Sequence, residues 1–257
     1  MARNIAPALR ALLANLIDYA GLFPPASLPL GRALAGYHHH SADRRAWMLG
    51  RFVIPVIQLP EVPANMTAPF AVLAGADHPA AETIESKQIL TAPKPVYCET
   101  GAESLANELD VIKAAGCFAK IRTGGVTPDA VPSVETVTRF LSECGSRRLP
   151  FKATAGLHHP IRSSRPLTYE KDAPVAVVHG FINVFLAAAF LWQGERDIAP
   201  VIAETEPTAF RFDARAHWRD LSLSVDQVAE ARAQFAHSFG SCSFEEPVSH
   251  LERFGWL

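Results

Sequence analysis

Phe118-Ala119-Lys120-Ile121-Arg122-Thr123-Gly124-Gly125 reads as a short buried strand that runs into a glycine-rich turn, with one lysine set inside it. An ammonium group in an apolar strand is costly unless it is neutralised or paired, because burial disfavours the charged form. The same pattern returns at Leu149-Pro150-Phe151-Lys152-Ala153-Thr154-Ala155-Gly156-Leu157. Two lysines one βα unit apart, each near a strand end, are expected to face each other across a parallel barrel. Such a pair is a recognised way to make a nucleophilic amine.

Working outward, strand-like and helix-like segments alternate along the chain. Expected strands are 16–22, stopped by Pro24-Pro25, then 51–57, 70–74, 83–89, 95–99, 118–121, 151–154 and 208–213. Expected helices are 3–17, 30–39, a segment starting at Asp77 and running to Glu82, then 103–115, 133–144, 198–204 and 225–239. Residues 175–192 are apolar on all sides and read as a buried helix, broken near Gly180. Residues 156–174 read as an irregular loop. Strands alternating with helices give a parallel sheet, and about eight such units in ~250 residues is the size of a closed barrel. The expected fold is therefore α/β, a single (β/α)8 TIM barrel over residues 1–257. Residues 1–17 would cap it as an extra N-terminal helix, the region between strands seven and eight is enlarged, and the tail 240–257 packs on the barrel. No G-x-G-x-x-G follows an early strand, so no dinucleotide site is signalled.

Composition narrows the function classes. With 24 basic and 26 acidic side chains, unclustered, there is no electrostatic case for nucleic acid or an anionic membrane. The most apolar run, 181–192, is too short to span a bilayer. The stretch 2–17 is interrupted by Arg3 and Arg10 and followed by Asp18, unlike a secretory leader. Cys98, Cys117, Cys144 and Cys242 show no C-x-x-C spacing and read as reduced thiols of a cytoplasmic protein. His38-His39-His40 reads as a solvated surface run, with no metal assigned. No cofactor is implied, and the apolar 181–192 helix and aromatic tail offer a surface for a homo-oligomer contact.

Four segments, in order, resemble the deoxyribose-phosphate aldolases and their class I relatives. Lys120-Ile121-Arg122-Thr123-Gly124 is similar to the K-T-S-T-G strand that carries the family's Schiff-base lysine, and Phe151-Lys152-Ala153-Thr154-Ala155-Gly156 to its V-K-A-S-G-G strand. Val96-Tyr97-Cys98-Glu99-Thr100-Gly101, with Lys113-Ala114-Ala115-Gly116 after it, is similar to the V-I-L-E-T-G strand and the A-G turn. Leu16-Ile17-Asp18-Tyr19-Ala20-Gly21-Leu22 is similar to the opening I-D-H-T-L-L strand. The resemblance implies a barrel enzyme in which Lys120 forms an imine with a small carbonyl substrate, with Lys152 as the second lysine. It also implies that Asp18 pairs with Lys152 and that an acid on the fourth strand, for which Glu85 is the nearest match, moves the substrate proton.

The chain also departs from that pattern. His158 stands where the family has a phosphate-binding arginine, and Arg211-Phe212-Asp213 ends the expected last strand with an acid instead of G-x-S-S. A carboxylate there would repel a phosphate by several kT in a low-dielectric cleft. The expected substrate is therefore a carbonyl compound without a phosphate.

An amine attacks a carbonyl only when uncharged, and both burial and a cationic Lys152 nearby would favour the uncharged amine on Lys120. Besides the catalytic set Lys120, Lys152, Asp18 and Glu85, the expected substrate-binding residues are Glu99, Arg122, Thr123, Thr154, His158, His159, Asn183 and Asp213. For Arg122, strand alternation and turn geometry leave open an orientation toward the helical layer. His179 near the start of the 181–192 helix is a further pocket candidate. Two other readings stay open: a metal-dependent barrel hydrolase or lyase using His158, His159, Asp213 and His38 to His40, and a non-catalytic barrel whose lysines grip an anionic ligand.

Overall fold

The computed structural model describes residues 5–73, 78–101 and 104–257. Eight parallel strands close a barrel: β1 (Ile17–Tyr19), β2 (Leu49–Pro55), β3 (Phe70–Leu73), β4 (Ala81–Ser86), β5 (Val96–Glu99), β6 (Phe118–Arg122), β7 (Phe151–Thr154) and β13 (Ala236–Ser241). They pair in chain order, with β13 between β7 and β1. The fold is an α/β TIM barrel.

The surrounding helices are α2 (Leu30–Ser41) after β1, α3 (Leu105–Ala114) after β5, α4 (Val134–Arg147) after β6, and α8 (Glu245–Arg253) after β13. The helix α4 shows why these segments fold as they do. Ser133 caps it by accepting from the Thr136 N–H at 3.2 Å, and Val137, Phe140, Leu141 and Cys144 form the stripe buried on the barrel. The strand β2 leads only into a short 3₁₀ turn, Val56–Glu61. Among the described residues no helix separates β3 from β4 or β4 from β5. The expected helical segment 77–82 is overturned from Ala81 onward, because Ala81–Ser86 pairs with β3 and β5 as β4. Its first residue, Asp77, lies outside the described residues, as do Ala74 of the expected third strand, Glu103 of the expected helix before β6 and residues 1–4.

Residues 155–235, between β7 and β13, hold most of what departs from expectation. The expected loop and the start of the buried helix fold back as a hairpin, β8 (Ser163–Pro166) with β9 (Val175–Val178). Only Phe181–Trp192 is helical, as α5, and all of it but Trp192 is buried. Next come α6 (Ala199–Ala203) and an antiparallel sheet of β10 (Phe210–Phe212), β11 (Arg215–Trp218) and β12 (Leu221–Ser224). The helix α7 (Val225–Gln234) then leads into β13, and α1 (Pro7–Leu13) packs on α7 and the antiparallel sheet.

The expected eighth barrel strand at 208–213 is therefore incorrect. Phe210–Phe212 pairs with Trp218, His217 and Ala216 rather than with the barrel. The true eighth strand was hidden in the last third of the expected 225–239 helix.

Candidate active site

Strand alternation fixes which side chains enter the barrel. Along β6 these are Phe118, Lys120 and Arg122, from the lower end of the barrel to its C-terminal mouth. Lys120 lies in register with Lys152 of β7 and with Glu99 of β5. The two lysines thus stand side by side on adjacent strands, rather than across the barrel as expected. Register pairing at the sheet spacing explains the difference.

Glu85 of β4 joins them. Its Oε1 lies 2.5 Å from Lys152 Nζ and its Oε2 2.9 Å from Lys120 Nζ. Asp18 Oδ2 accepts from Lys152 at 2.7 Å and from the Ser238 hydroxyl at 2.7 Å, while its Oδ1 accepts from the Arg51 N–H at 2.7 Å. Glu99 Oε2 lies 3.1 Å from Lys120 Nζ, and its Oε1 accepts from Arg122 Nε at 3.1 Å. Three cations, Lys120, Lys152 and Arg122, thus meet three carboxylates, Asp18, Glu85 and Glu99. Lys120 is 3% exposed and Lys152 1%.

Local backbone makes this packing feasible. A Cβ on Gly50 would fall 2.3 Å from Asp18 Oδ1, so the chain beside Asp18 accepts no side chain. In β13 a register irregularity between Ala236 and Phe239 turns both His237 and Ser238 inward, where strict alternation would send one outside.

The electrostatics follow from this geometry. Burial pushes the Glu85 carboxyl up, but the charges of Lys152 and Lys120 and their hydrogen bonds outweigh it and hold it down at about 2. For Lys152, burial disfavours the ammonium, yet Asp18 and Glu85 more than offset it and raise its pKa. Glu99 is likewise lowered, as Lys120 and Arg122 overcome its burial. The two lysines do not meet directly as expected: Glu85 sits between the Lys120 and Lys152 side chains and bonds to both.

The network opens into a cavity of about 1110 Å³ at the C-terminal ends of the strands, where Lys120, Glu85, Glu99, Arg122, Thr154, His158 and His159 are exposed to it. Arg122 does not face the helical layer. Two residues beyond Lys120, it shares its side of β6 and points into the mouth.

The remaining candidates divide. Thr123 is fully buried and does not line the cavity; its hydroxyl donates to the Ala155 carbonyl at 2.7 Å, latching the β6 and β7 ends together. There Gly124 and Gly156 cross so closely that a Cβ on Gly124 would lie 2.8 Å from Gly156 Cα. Asn183 is also fully buried. It accepts from the Arg162 N–H and donates to the Val201 and Glu204 carbonyls, which makes it a staple for α5 and α6 rather than a pocket residue. His179 reaches the Pro132 carbonyl at 2.8 Å and does not line the cavity either.

Asp213 is in the turn between β10 and β11, held by Arg211, His217 and the Arg215 N–H, and lines no part of the cavity. The last barrel strand ends instead in Gly240-Ser241-Cys242-Ser243, so the case against a phosphate drawn from Asp213 falls away.

The histidines expected to share a metal do not converge. His158 Nδ1 lies 2.8 Å from Glu246 Oε2, and His159 Nδ1 lies 2.8 Å from His250 Nδ1. Burial and the neighbouring His250, Arg165 and His158 push His159 down to about 3, so its imidazole is neutral near pH 7. Among the described residues the one close group with metal-capable donors is His39, His40 and Glu245, within 4.8 Å of one another. None of these lines the cavity, and we assign no metal to them.

Ser238, Tyr169, Cys242, Glu246 and His250 take part in the site or its wall and were not expected. Ser238, Cys242, Glu246 and His250 belong to β13 and the segment that follows it, and Tyr169 to the β8–β9 hairpin. No helix among the described residues is long and apolar enough to cross a membrane, and all four cysteines are free. No protein-family model, no curated protein and no solved structure matches the chain.

Proposed function

We propose that the chain is a class I, Schiff-base lyase of the aldolase type, akin to the deoxyribose-phosphate aldolases that its lysine strands resemble. It would form or cleave a carbon–carbon bond in a small carbonyl compound. The observation that carries this reading is Glu85 bridging Lys120 and Lys152 at the floor of a cavity large enough for a small metabolite.

Lys120 is the amine within reach of the cavity. To become a nucleophile it must release a proton, and Glu85 and Glu99, at 2.9 and 3.1 Å, are the acceptors at hand. Addition to the substrate carbonyl and loss of water give an iminium, which draws electrons from the α-carbon. Glu85 is placed to take the α-proton, and Lys152, fixed as a cation by Asp18, holds the glutamate in position and balances its charge. The resulting enamine attacks an aldehyde, and the reverse sequence cleaves the bond. Arg122 and Thr154 at the mouth are positioned to meet the polar end of the ligand. The expected absence of a phosphate no longer has Asp213 to support it, so the reading extends to small carbonyl compounds with or without one.

The test is to incubate the protein with a panel of short aldehydes and ketones, reduce with borohydride and map the modified peptide by mass spectrometry. We expect a stable adduct on Lys120. It should vanish in Lys120→Leu and in Lys120→Arg, the second of which keeps the charge balance but cannot form an imine. In Glu85→Gln the adduct should still form, while exchange of the substrate α-proton slows by about 10²–10⁴-fold. Folded protein that yields no adduct with any carbonyl would instead favour a barrel that binds ligands without turnover.

A further inference from the structure

The wall of the same cavity holds a second set of reactive side chains that takes no part in the lysine network. At the end of β13, Cys242 Sγ lies 3.8 Å from His158 Nε2. The other ring nitrogen of His158, Nδ1, lies 2.8 Å from Glu246 Oε2 in the first turn of α8. The Tyr169 hydroxyl, from the turn of the β8–β9 hairpin, lies 3.6 Å from the sulfur and 3.5 Å from the same Glu246 oxygen. All four residues line the cavity, and Cys242 is 5% exposed.

Thiol, imidazole and carboxylate in this order form a nucleophile, a base and a group that orients the base. Each histidine nitrogen has one partner, so a proton taken from sulfur rests on a ring whose far side faces a carboxylate. The charge balance favours that transfer. Burial pushes the Cys242 thiol up, but hydrogen bonding and attraction from His158 overcome it and lower it. Burial likewise pulls His158 down, yet Cys242 and Glu246 lift it to about 9. The contrast with Cys98 is sharp: burial, with Cys117 beside it, pushes that thiol up to about 12. Burial also raises Cys144, and neither it nor Cys98 or Cys117 lines the cavity.

We propose that Cys242 is a second nucleophile of this cavity, a thiolate held by His158 and Glu246 that captures aldehydes reversibly as hemithioacetals. The sulfur lone pair forms the S–C bond, the π pair of the carbonyl moves to its oxygen, and the proton on His158 Nε2 passes to that oxygen. Expulsion of the sulfur reverses each movement, so the step needs no oxidant, reductant or further reactant. An aldehyde suits the site better than an ester or amide, because capture needs only the single proton that His158 holds and no leaving group. The step does not depend on imine formation at Lys120.

The test is limited alkylation with iodoacetamide, read by peptide mapping, on the whole chain. Cys242 should be modified at least tenfold faster than Cys98, Cys117 and Cys144. His158→Gln should slow it at least tenfold, and Glu246→Gln, at a partly exposed side chain, should slow it also and serves should the histidine variant fail to fold. Millimolar acetaldehyde should then protect Cys242, reversibly on dialysis, to the same extent in wild type and in Lys120→Arg. Two results overturn the proposal: Cys242 reacting no faster than the other three thiols, or protection that disappears in Lys120→Arg. The latter would mean that the aldehyde sits on the lysine and merely blocks access to the thiol.

Discussion

Two clusters of charged side chains in this molecule use the same residue types at opposite extremes of burial. Inside the barrel, Asp18, Glu85 and Glu99 meet Lys152, Lys120 and Arg122, and all but Arg122 are largely removed from water. In the β10–β11 turn of the antiparallel sheet, Asp213 meets Arg211 and His217 with its side chain 47% exposed. In the first, deleting Lys152 leaves the fully buried Asp18 with no cationic partner and strips Glu85 of one of its two. In the second, water replaces whatever is removed. Similar geometry therefore carries a large energetic consequence in one place and almost none in the other.

The largest break in that comparison is Lys152→Met. It leaves Asp18 and Glu85 facing each other without their shared cation and should lower unfolding stability by about 3–5 kcal/mol, measured by urea denaturation. A loss below about 1 kcal/mol would show that the cluster is more hydrated than its burial indicates.

Smaller in effect is the acid limb of stability. Glu85 is held at about 2 in the fold, against an ordinary carboxyl value of 4.5. Its contribution is therefore fully present above pH 4.5 and is lost as pH falls toward 2. Melting temperature in the wild type should fall across that window. Glu85→Gln should start lower and show a flatter decline, and an unchanged slope would remove Glu85 from the buried network. At the bottom of the scale, Asp213→Ala should leave the urea midpoint unchanged and any lyase activity intact. A clear loss of either would mean that the antiparallel sheet matters to the site in a way its distance from the cavity does not suggest.

The contrast also marks what was legible in the sequence. The barrel, its first seven strands and the positions of Lys120 and Lys152 come from local signals: β-branched runs, turn residues and strand alternation around an out-of-place charge. Asp18 and Glu85 come from the resemblance of their segments to the aldolase pattern. Asp213 was misplaced because Phe210-Arg211-Phe212 alternates as well as any barrel strand, and alternation does not say which sheet a strand joins. The true eighth strand was missed for the opposite reason. Residues 225–239 pass from helix to strand with no glycine or proline between Gln234 and Ala236, and Val228, Ala231, Phe235 and Phe239 keep a helical spacing across the change. With that strand went Cys242, Ser238 and Glu246. Cys242, His158 and Glu246 come from separate segments, and no local pattern announces their meeting. Thr123 and Asn183 show a further limit: a polar residue next to a site can be wholly occupied in holding the backbone.

One feature of the barrel floor bears on how ligands come and go. Below Lys152, Tyr97, Phe118 and His237 stack edge to face with ring centres 5.5–5.9 Å apart, and the Tyr97 hydroxyl lies 2.7 Å from His237 Nδ1. This aromatic plug closes the barrel interior below Lys152, on the side away from the cavity mouth. A ligand that reaches Lys120 from the mouth passes the wall that carries Arg122 and Cys242. For the proposed lyase reaction, steady-state kinetics should therefore show compulsory order, with the imine-forming reactant binding before the aldehyde. Product-inhibition patterns typical of random binding would show that the mouth admits both at once.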